Sequence, residues 1–430
     1  MISRTRTLLT LGVFMIAAAS TRQDPGKLVE WPVYGGDPGG SRYSTLADIN
    51  RDNVRGLTRA WTWATGESPI PQTDSTKAAR PGTFQATPLM VNDTLYLSTP
   101  YNRVVALDAN TGRQLWKFDP GAHTYGQPSN GTGFVHRGVA LWTDGRQRRV
   151  FINSRWRLFA LDAATGKPIA SFGRSGEIDV TEGLAWPVKP IHYTNTSPPV
   201  IWGDLVILGN GVGDRLMYRK DPPGDIQAFD VRTGRRVWRF KTVPEPGEYG
   251  NDTWRDGSWQ YTGHTNVWAP FSVDSARGLL YLPVGTPSND WYGGRRKGEN
   301  LFGESVLCLD ARTGRRVWHF QVVHHGLWDY DLPAPPNVVT IRRPSGPVAS
   351  LLNWAGYFTW VVATTRAGPR WVANTMSTVA LTVLIDLRSS RPPRASIAFM
   401  INSRAAASFC FDGAGGAAFA GVCGRPAGTV

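Results

Sequence analysis

The densest run of chemistry-bearing side chains is His324-His325-Gly326-Leu327-Trp328-Asp329-Tyr330-Asp331, followed by Leu332-Pro-Ala-Pro-Pro336. A carboxylate such as Asp329 could take a proton from a substrate hydroxyl, with the imidazoles tuning it. The same acids could instead cap turns, and the two histidines could simply pack or turn the chain. No H-x-x-x-H or C-x-x-C spacing points to zinc, and no C-x-x-C-H segment points to attached haem. The run Gly209-Asn-Gly-Val-Gly-Asp214 is glycine-rich, yet no Lys-Ser/Thr follows it and its setting is strand and turn, so it is not a phosphate loop.

These residues need a scaffold, and an internal repeat supplies one. Ala106-Leu-Asp108-Ala-Asn-Thr111-Gly112-Arg-Gln-Leu-Trp116 returns as Ala228-Phe-Asp230-Val-Arg-Thr233-Gly234-Arg-Arg-Val-Trp238 and as Cys308-Leu-Asp310-Ala-Arg-Thr313-Gly314-Arg-Arg-Val-Trp318. A fourth copy, Ala160 to Ala170, keeps Asp162, Thr165 and Gly166 but not the Trp. The Asp positions lie 54, 68 and 80 residues apart, so one module recurs with growing insertions. Each copy reads as a strand, a tight turn and a second strand, with Asp and Thr capping the turn and Gly at positive φ. The Trp can then lie flat between neighbouring sheets. Strand-like runs precede each copy at Thr94–Ser98, Arg149–Asn153, Leu205–Leu208 and Gly278–Leu282. The fold class that follows is all-β, with four-stranded blades in a ring.

The pattern A-x-D-x-x-T-G-x-x-x-W resembles the tryptophan-docking motif of the pyrroloquinoline quinone (PQQ)-dependent dehydrogenases, whose propellers have eight blades. The resemblance runs from Trp31-Pro-Val-Tyr-Gly-Gly-Asp37 and Arg42-Tyr-Ser to about Val339. It implies PQQ and Ca²⁺ as cofactors, and oxidation of a sugar or alcohol hydroxyl. The segment ending in Asp329 resembles H-H-D-L-W-D, whose second Asp is the base; Gly326 replaces the first. Gly263-His-Thr-Asn-Val-Trp268-Ala-Pro resembles the segment whose Trp stacks under the quinone. By the same resemblance Gln85 and Arg137 meet the cofactor's carboxylates and carbonyls, and Thr196 is another cofactor-facing hydroxyl. Asp214 falls where the family places an acidic metal ligand, and Thr286 aligns with that ligand's Asn partner. The segment Pro283-Val-Gly-Thr-Pro-Ser-Asn-Asp-Trp-Tyr-Gly-Gly294 leans towards the sugar and polyol branch, as does the lack of an adjacent Cys-Cys pair. That branch also uses a Lys from a later blade, and no Lys follows Lys297 here.

Two stretches stand apart. Met1 to about Ser20 reads as a signal peptide: Arg4 and Arg6, an apolar run from Leu8 to Ile16, then small residues. Periplasmic export is the expectation. From 344 to 430 the repeat stops; seven Arg, no Lys, no Glu and two acids (Asp386, Asp412) accompany Ala/Gly-rich runs. The expectation is that 21–343 is the propeller portion, an incomplete ring, and that 344–430 is an atypical tail from a shifted reading frame. The formal charge of +14 is inflated by these two stretches, and no basic helix concentrates it, which argues against nucleic acid as a partner. The expected partners are a sugar or alcohol and an external electron acceptor, a quinone or cytochrome, with no transmembrane domain. A non-catalytic envelope propeller scaffold and an inactive quinoprotein fragment are the competing readings.

Overall fold

In the computed structural model the described residues are 29–211, 213, 219–343 and the strands Gly346–Ala355, Thr359–Val361, Val372–Asn374, Ala380–Leu384 and Ser396–Met400. The stretch expected to be a signal peptide and most of the expected tail lie outside them. Strands β1 (Leu89–Val91), β2 (Thr94–Ser98), β3 (Val104–Asp108) and β4 (Gln114–Phe118) form one antiparallel meander. The next blade is β5 (Ala140–Thr143), β6 (Arg148–Ser154), β7 (Arg157–Asp162) and β8 (Glu177–Asp179). The third is β9 (Val200–Trp202), β10 (Leu205–Leu208), β11 (Ile226–Asp230) and β12 (Arg236–Phe240). The fourth is β13 (Ser272–Asp274), β14 (Leu279–Pro283), β15 (Ser305–Asp310) and β16 (Arg316–Gln321). A further sheet begins with β17 (Asn337–Arg343), paired with β18 (Gly346–Ala355). The first strands β5, β9, β13 and β17 neighbour one another in turn, the radial order of a β-propeller.

The repeat's turn chemistry is as expected. In the last copy Asp310 Oδ1 accepts Arg312 N–H at 3.1 Å, Thr313 N–H at 2.9 Å and Thr313 Oγ1–H at 2.8 Å. Gly314 follows at φ +68°. Its missing side chain makes the docking slot: a Cβ there would lie 2.5 Å from Trp238 Cε3, and Trp238 Nε1–H donates to Ala311 O at 3.0 Å. Trp116 sits in the same way over Gly166 with Nε1–H on Ala163 O, and Trp61 over Gly112 with Nε1–H on Ala109 O. Trp116 and Trp238 therefore staple one blade to the turn of the next, and Trp61 docks the segment before the first blade on that blade's turn, each covering a ring face and satisfying its donor together.

The copy without a Trp departs from the strand–turn–strand expectation. Pro168 still bridges Leu161 and Ile169 N–H donates to Ala160 O at 2.9 Å, but the chain then leaves the sheet and the fourth strand comes later, at Glu177–Asp179 beside Arg157–Phe159. Phe172 from that excursion and Ile178 of β8 fill the slot over Gly234 instead. At the other end, Trp318 Nε1 is buried with no hydrogen-bond partner among the described residues. The sequence after β17 holds no Asp-x-x-Thr-Gly turn.

Between blades lie separate apolar cores, each built from two adjacent sheets. Val104, Ala106, Val150, Ile152 and Phe159 join the first pair; Phe151, Ala160, Val206, Leu208 and Phe229 the second; Ile207, Trp238, Leu280, Leu307 and Leu309 the third. Residues 31–40 cross over these sheets as a belt. Trp31 pairs with Met90 in the first blade, Pro38 O accepts Val273 N–H in the fourth, and Gly39 O accepts Val338 N–H in β17. Cys308 is buried and unpaired within the fourth blade.

Candidate active site

The segments leading into successive first strands are stitched side by side. Gly82 N–H donates to Phe134 O, Thr87 N–H to Arg137 O and Arg137 N–H to Thr196 O, all at 2.9 Å. The hydroxyls of Thr196 and Ser197 both donate to Trp268 O, at 3.2 and 2.6 Å. Gly285 N–H donates to Asn266 O at 2.8 Å. Segments far apart in sequence thus meet around one centre.

Arg137 and Trp268 are in contact there. The guanidinium lies 5.1 Å from the indole centroid and donates to Thr196 O at 3.1 Å. Burial lowers the Arg137 pKa from its ordinary value, although a guanidinium stays cationic at any physiological pH. The backbone of Arg137 is held by its buried neighbour His136, whose Nε2 faces Asn153 O at 2.9 Å while Nδ1 accepts Gly138 N–H at 3.4 Å. Only the neutral Nε2–H tautomer satisfies both, and burial drives this imidazole down to about 4.

Trp268 Nε1–H donates to Asp331 Oδ2 at 2.5 Å, and Thr286 N–H donates to Asp331 Oδ1 at 2.6 Å. Gly285 is needed here, because a Cβ on it would stand 2.6 Å from Asp331 Oδ1. Thr286 Oγ1–H continues the chain to Glu304 Oε1 at 3.1 Å. Burial raises the Asp331 carboxyl above the usual carboxylate range and lifts Glu304 to about 7. Asp329 lies on the exposed part of the same loop at φ +54°. Two residues of the Trp268 segment, His264 and Thr265, also hold left-handed backbone at φ +59° and +55°, a strain that a packed site must support.

Of the residues singled out in the sequence, Arg137, Thr196, Trp268 and Thr286 are linked in this network, and Asp329 adjoins it. Gln85 is exposed on the segment bonded on either side to the Arg137 segment. Asp214 lies outside the described residues. His324 is exposed, with Nδ1 3.5 Å from Glu299 Oε2, and His325 Nδ1 faces Gly298 O at 2.7 Å. Sequence reasoning did not single out His136, Ser197 or Glu304, nor a role for Asp331; His136 and Ser197 directly adjoin Arg137 and Thr196, and Asp331 lies in the run 324–331, but Glu304 lies in none of these segments.

The arrangement offers a cation on an aromatic face, suited to a planar anionic group, beside a set of oxygen donors suited to a hard cation. Thr265 Oγ1 is buried without a hydrogen-bond partner among the described residues, leaving an oxygen able to accept a further ligand. Among the described residues no group of three or more His, Cys, Asp or Glu is arranged to hold a metal. No helix among them is long and apolar enough to cross a membrane.

Residues 31–355 match the β-propeller domain of PQQ glucose/ethanol/alcohol dehydrogenases. The quinoprotein glucose dehydrogenase of Escherichia coli (strain K12) is 34% identical over 340 residues, covering 74% of this chain and 40% of that protein. The quinate/shikimate dehydrogenase (quinone) of Acinetobacter baylyi is 33% identical over 384 residues, covering 84% and 45%. The quinohemoprotein alcohol dehydrogenase of Comamonas testosteroni superposes with a TM-score of 0.65 at 29% identity, covering 80% of this chain and 49% of that one. The chain thus spans less than half the length of these relatives.

Proposed function

This chain belongs to the PQQ glucose/ethanol/alcohol dehydrogenase β-propeller family, and we propose from that membership that it oxidises a CH–OH group of a sugar or polyol. The observation that carries the reading is the junction of Arg137, Trp268, Asp331 and Thr286, four segments meeting beside the loop of Asp329. A non-catalytic scaffold has no use for a half-buried cation stacked on an indole next to one half-buried and one buried carboxyl.

PQQ, when bound, would supply the hydride acceptor, and Ca²⁺ would polarise its reacting carbonyl. Arg137 would hold the cofactor's anionic edge by charge-assisted bonds, with Gln85 and Thr196 adding neutral ones. Trp268 would give the planar floor, its tilt set by the bond to Asp331. Thr286 and Asp214 would face the cation with oxygen. Asp329 would act as general base, taking the proton of the substrate hydroxyl. Its exposure leaves it open to substrate, while the adjoining Tyr330 and Asp331 fix its backbone. Electrons would then pass to an external quinone or cytochrome. The sugar and polyol leaning is supported by relatives named for glucose and for glycerol. Periplasmic placement belongs to the same proposal and is supported by the character of residues 1–20.

The test is dye reduction by the purified chain loaded with PQQ and Ca²⁺, with glucose, glycerol and ethanol compared. Turnover should be lost in Asp329→Asn while PQQ binding persists. An Asn variant that turns over like the parent removes Asp329 from the mechanism.

A further inference from the structure

We propose that Glu304 is a positioning residue for the Asp329 loop, its carboxylate standing in the space a side chain at position 326 would fill. The inference deepens the reading of Asp329 as base and rests on it. A Cβ built on Gly326 would overlap both carboxylate oxygens of Glu304, so any residue but glycine at 326 collides with this carboxylate. Position 326 is where the resembled segment carries Asp. Here the carboxylate reaches the same spot from the adjoining blade strand, one residue before β15 (Ser305–Asp310).

The carboxylate touches both sides of the site. It accepts Thr286 Oγ1–H at 3.1 Å, and it accepts the N–H of Tyr330, the residue that follows Asp329. The φ and ψ of Asp329 fix where its side chain points, and the Tyr330 peptide is one end of that linkage. Glu304 is itself fixed: it is 1% exposed, its N–H donates to Gly285 O at 3.1 Å and its carbonyl accepts Val322 N–H at 2.8 Å. Its backbone is left-handed at φ +49°, a conformation disfavoured for Glu, which Gly, Asn or Asp would adopt more readily. Arg296, also 1% exposed, closes the other flank by donating to Gly326 O at 2.6 Å. Glycine at 326 and glutamate at 304 are therefore one interlocked feature.

The test is a double-mutant cycle of Glu304→Ala, Gly326→Asp and the pair together, with Glu304→Gln and Gly326→Ala as milder variants. Unfolding of the cofactor-free chain is read first, then kcat and KM after loading with PQQ and Ca²⁺. Gly326→Asp alone should lower the unfolding midpoint by several degrees, roughly the 4 °C or more expected when a side chain is forced into filled space. Glu304→Ala should cut kcat about tenfold or more with KM changed less than about twofold, the mark of lost alignment rather than lost substrate binding. The pair should regain most of both losses, and Glu304→Gln, which keeps an acceptor for Tyr330, should retain most of kcat. Losses that merely add in the pair, or a Gly326→Ala variant as stable as the parent, overturn the proposal. If no variant turns over, parent included, the reading of this chain as an active dehydrogenase fails, while the unfolding cycle still decides whether 304 and 326 share one space.

Discussion

The indole of Trp268 donates to Asp331 Oδ2 at 2.5 Å, so the proposed stacking floor and the loop of the proposed base form one hydrogen-bonded unit. Trp268→Phe separates the two roles. The ring remains, but a half-buried carboxyl loses one of its two donors, which costs about 1 kcal/mol of stability. Trp268→Ala removes the face as well, and PQQ affinity should fall about tenfold or more, since aromatic contacts contribute roughly 0.5–1.5 kcal/mol beyond buried area. Urea unfolding and a fluorescence titration with PQQ measure the two. An Ala variant that binds PQQ like the parent would remove the floor from the proposal.

Asp329→Asn keeps the size of the side chain and removes its basicity. A positioned base contributes about 10²–10⁴ in rate, so kcat should fall by that order with PQQ affinity little changed. Stopped-flow dye reduction under saturating sugar is the measurement. A drop in affinity instead of rate would turn Asp329 into a binding residue.

The docking slots can be weighed against a matched control. Gly314 and Gly66 have nearly the same left-handed φ, +68° and +66°, yet a Cβ at 314 meets Trp238 at 2.5 Å and one at 66 meets nothing within 4 Å. Gly66→Ala should cost only the backbone penalty, about 1–2 kcal/mol. Gly314→Ala adds displacement of an indole, about 1–3 kcal/mol more. Equal losses in urea unfolding would mean that the Trp238 contact contributes nothing.

The contrast between those two glycines also marks what the sequence made legible. Asp, Thr, Gly and Trp at fixed offsets encode a local turn and one cross-blade contact, so the blades could be read in order. The slot over Gly234 could not, because Phe172 and Ile178, which carry no periodic signature, fill it. Trp61 docks on Gly112 without a repeat copy of its own to announce it. The belt at residues 31–40 escaped for a different reason: Pro38 and Gly39 act through backbone carbonyls, which any residue supplies.

In the site, Arg137, Thr196, Trp268 and Thr286 were legible through the family resemblance. Glu304 was not, because it lies 22 residues before Gly326 in sequence and meets that segment only through the fold. Asp331 looked like a second turn-capping acid; only the geometry shows it receiving both Trp268 and Thr286.

The last prediction concerns His136, which is held neutral beneath Arg137. Its folded value is pushed down to about 4 from the ordinary 6.5, mainly by burial. Between those two values the unfolded chain binds a proton that the folded chain refuses, so the contribution of His136 to stability falls as pH drops through that window. The loss reaches at most about 3 kcal/mol, because a pKa lowered by one pH unit on folding is worth about 1.4 kcal/mol. The carboxyls of Glu304 and Asp225, raised to about 7 and 6, act in the opposite direction over part of the same range. Comparison with His136→Gln cancels them. The stability gap between parent and variant should shrink steadily from pH 7 to 4 and then level off. A gap independent of pH would mean that the His136 pKa does not change on folding, and a ring that protonates in the folded chain near pH 6.5 could not keep Nδ1 as the acceptor of Gly138 N–H at 3.4 Å.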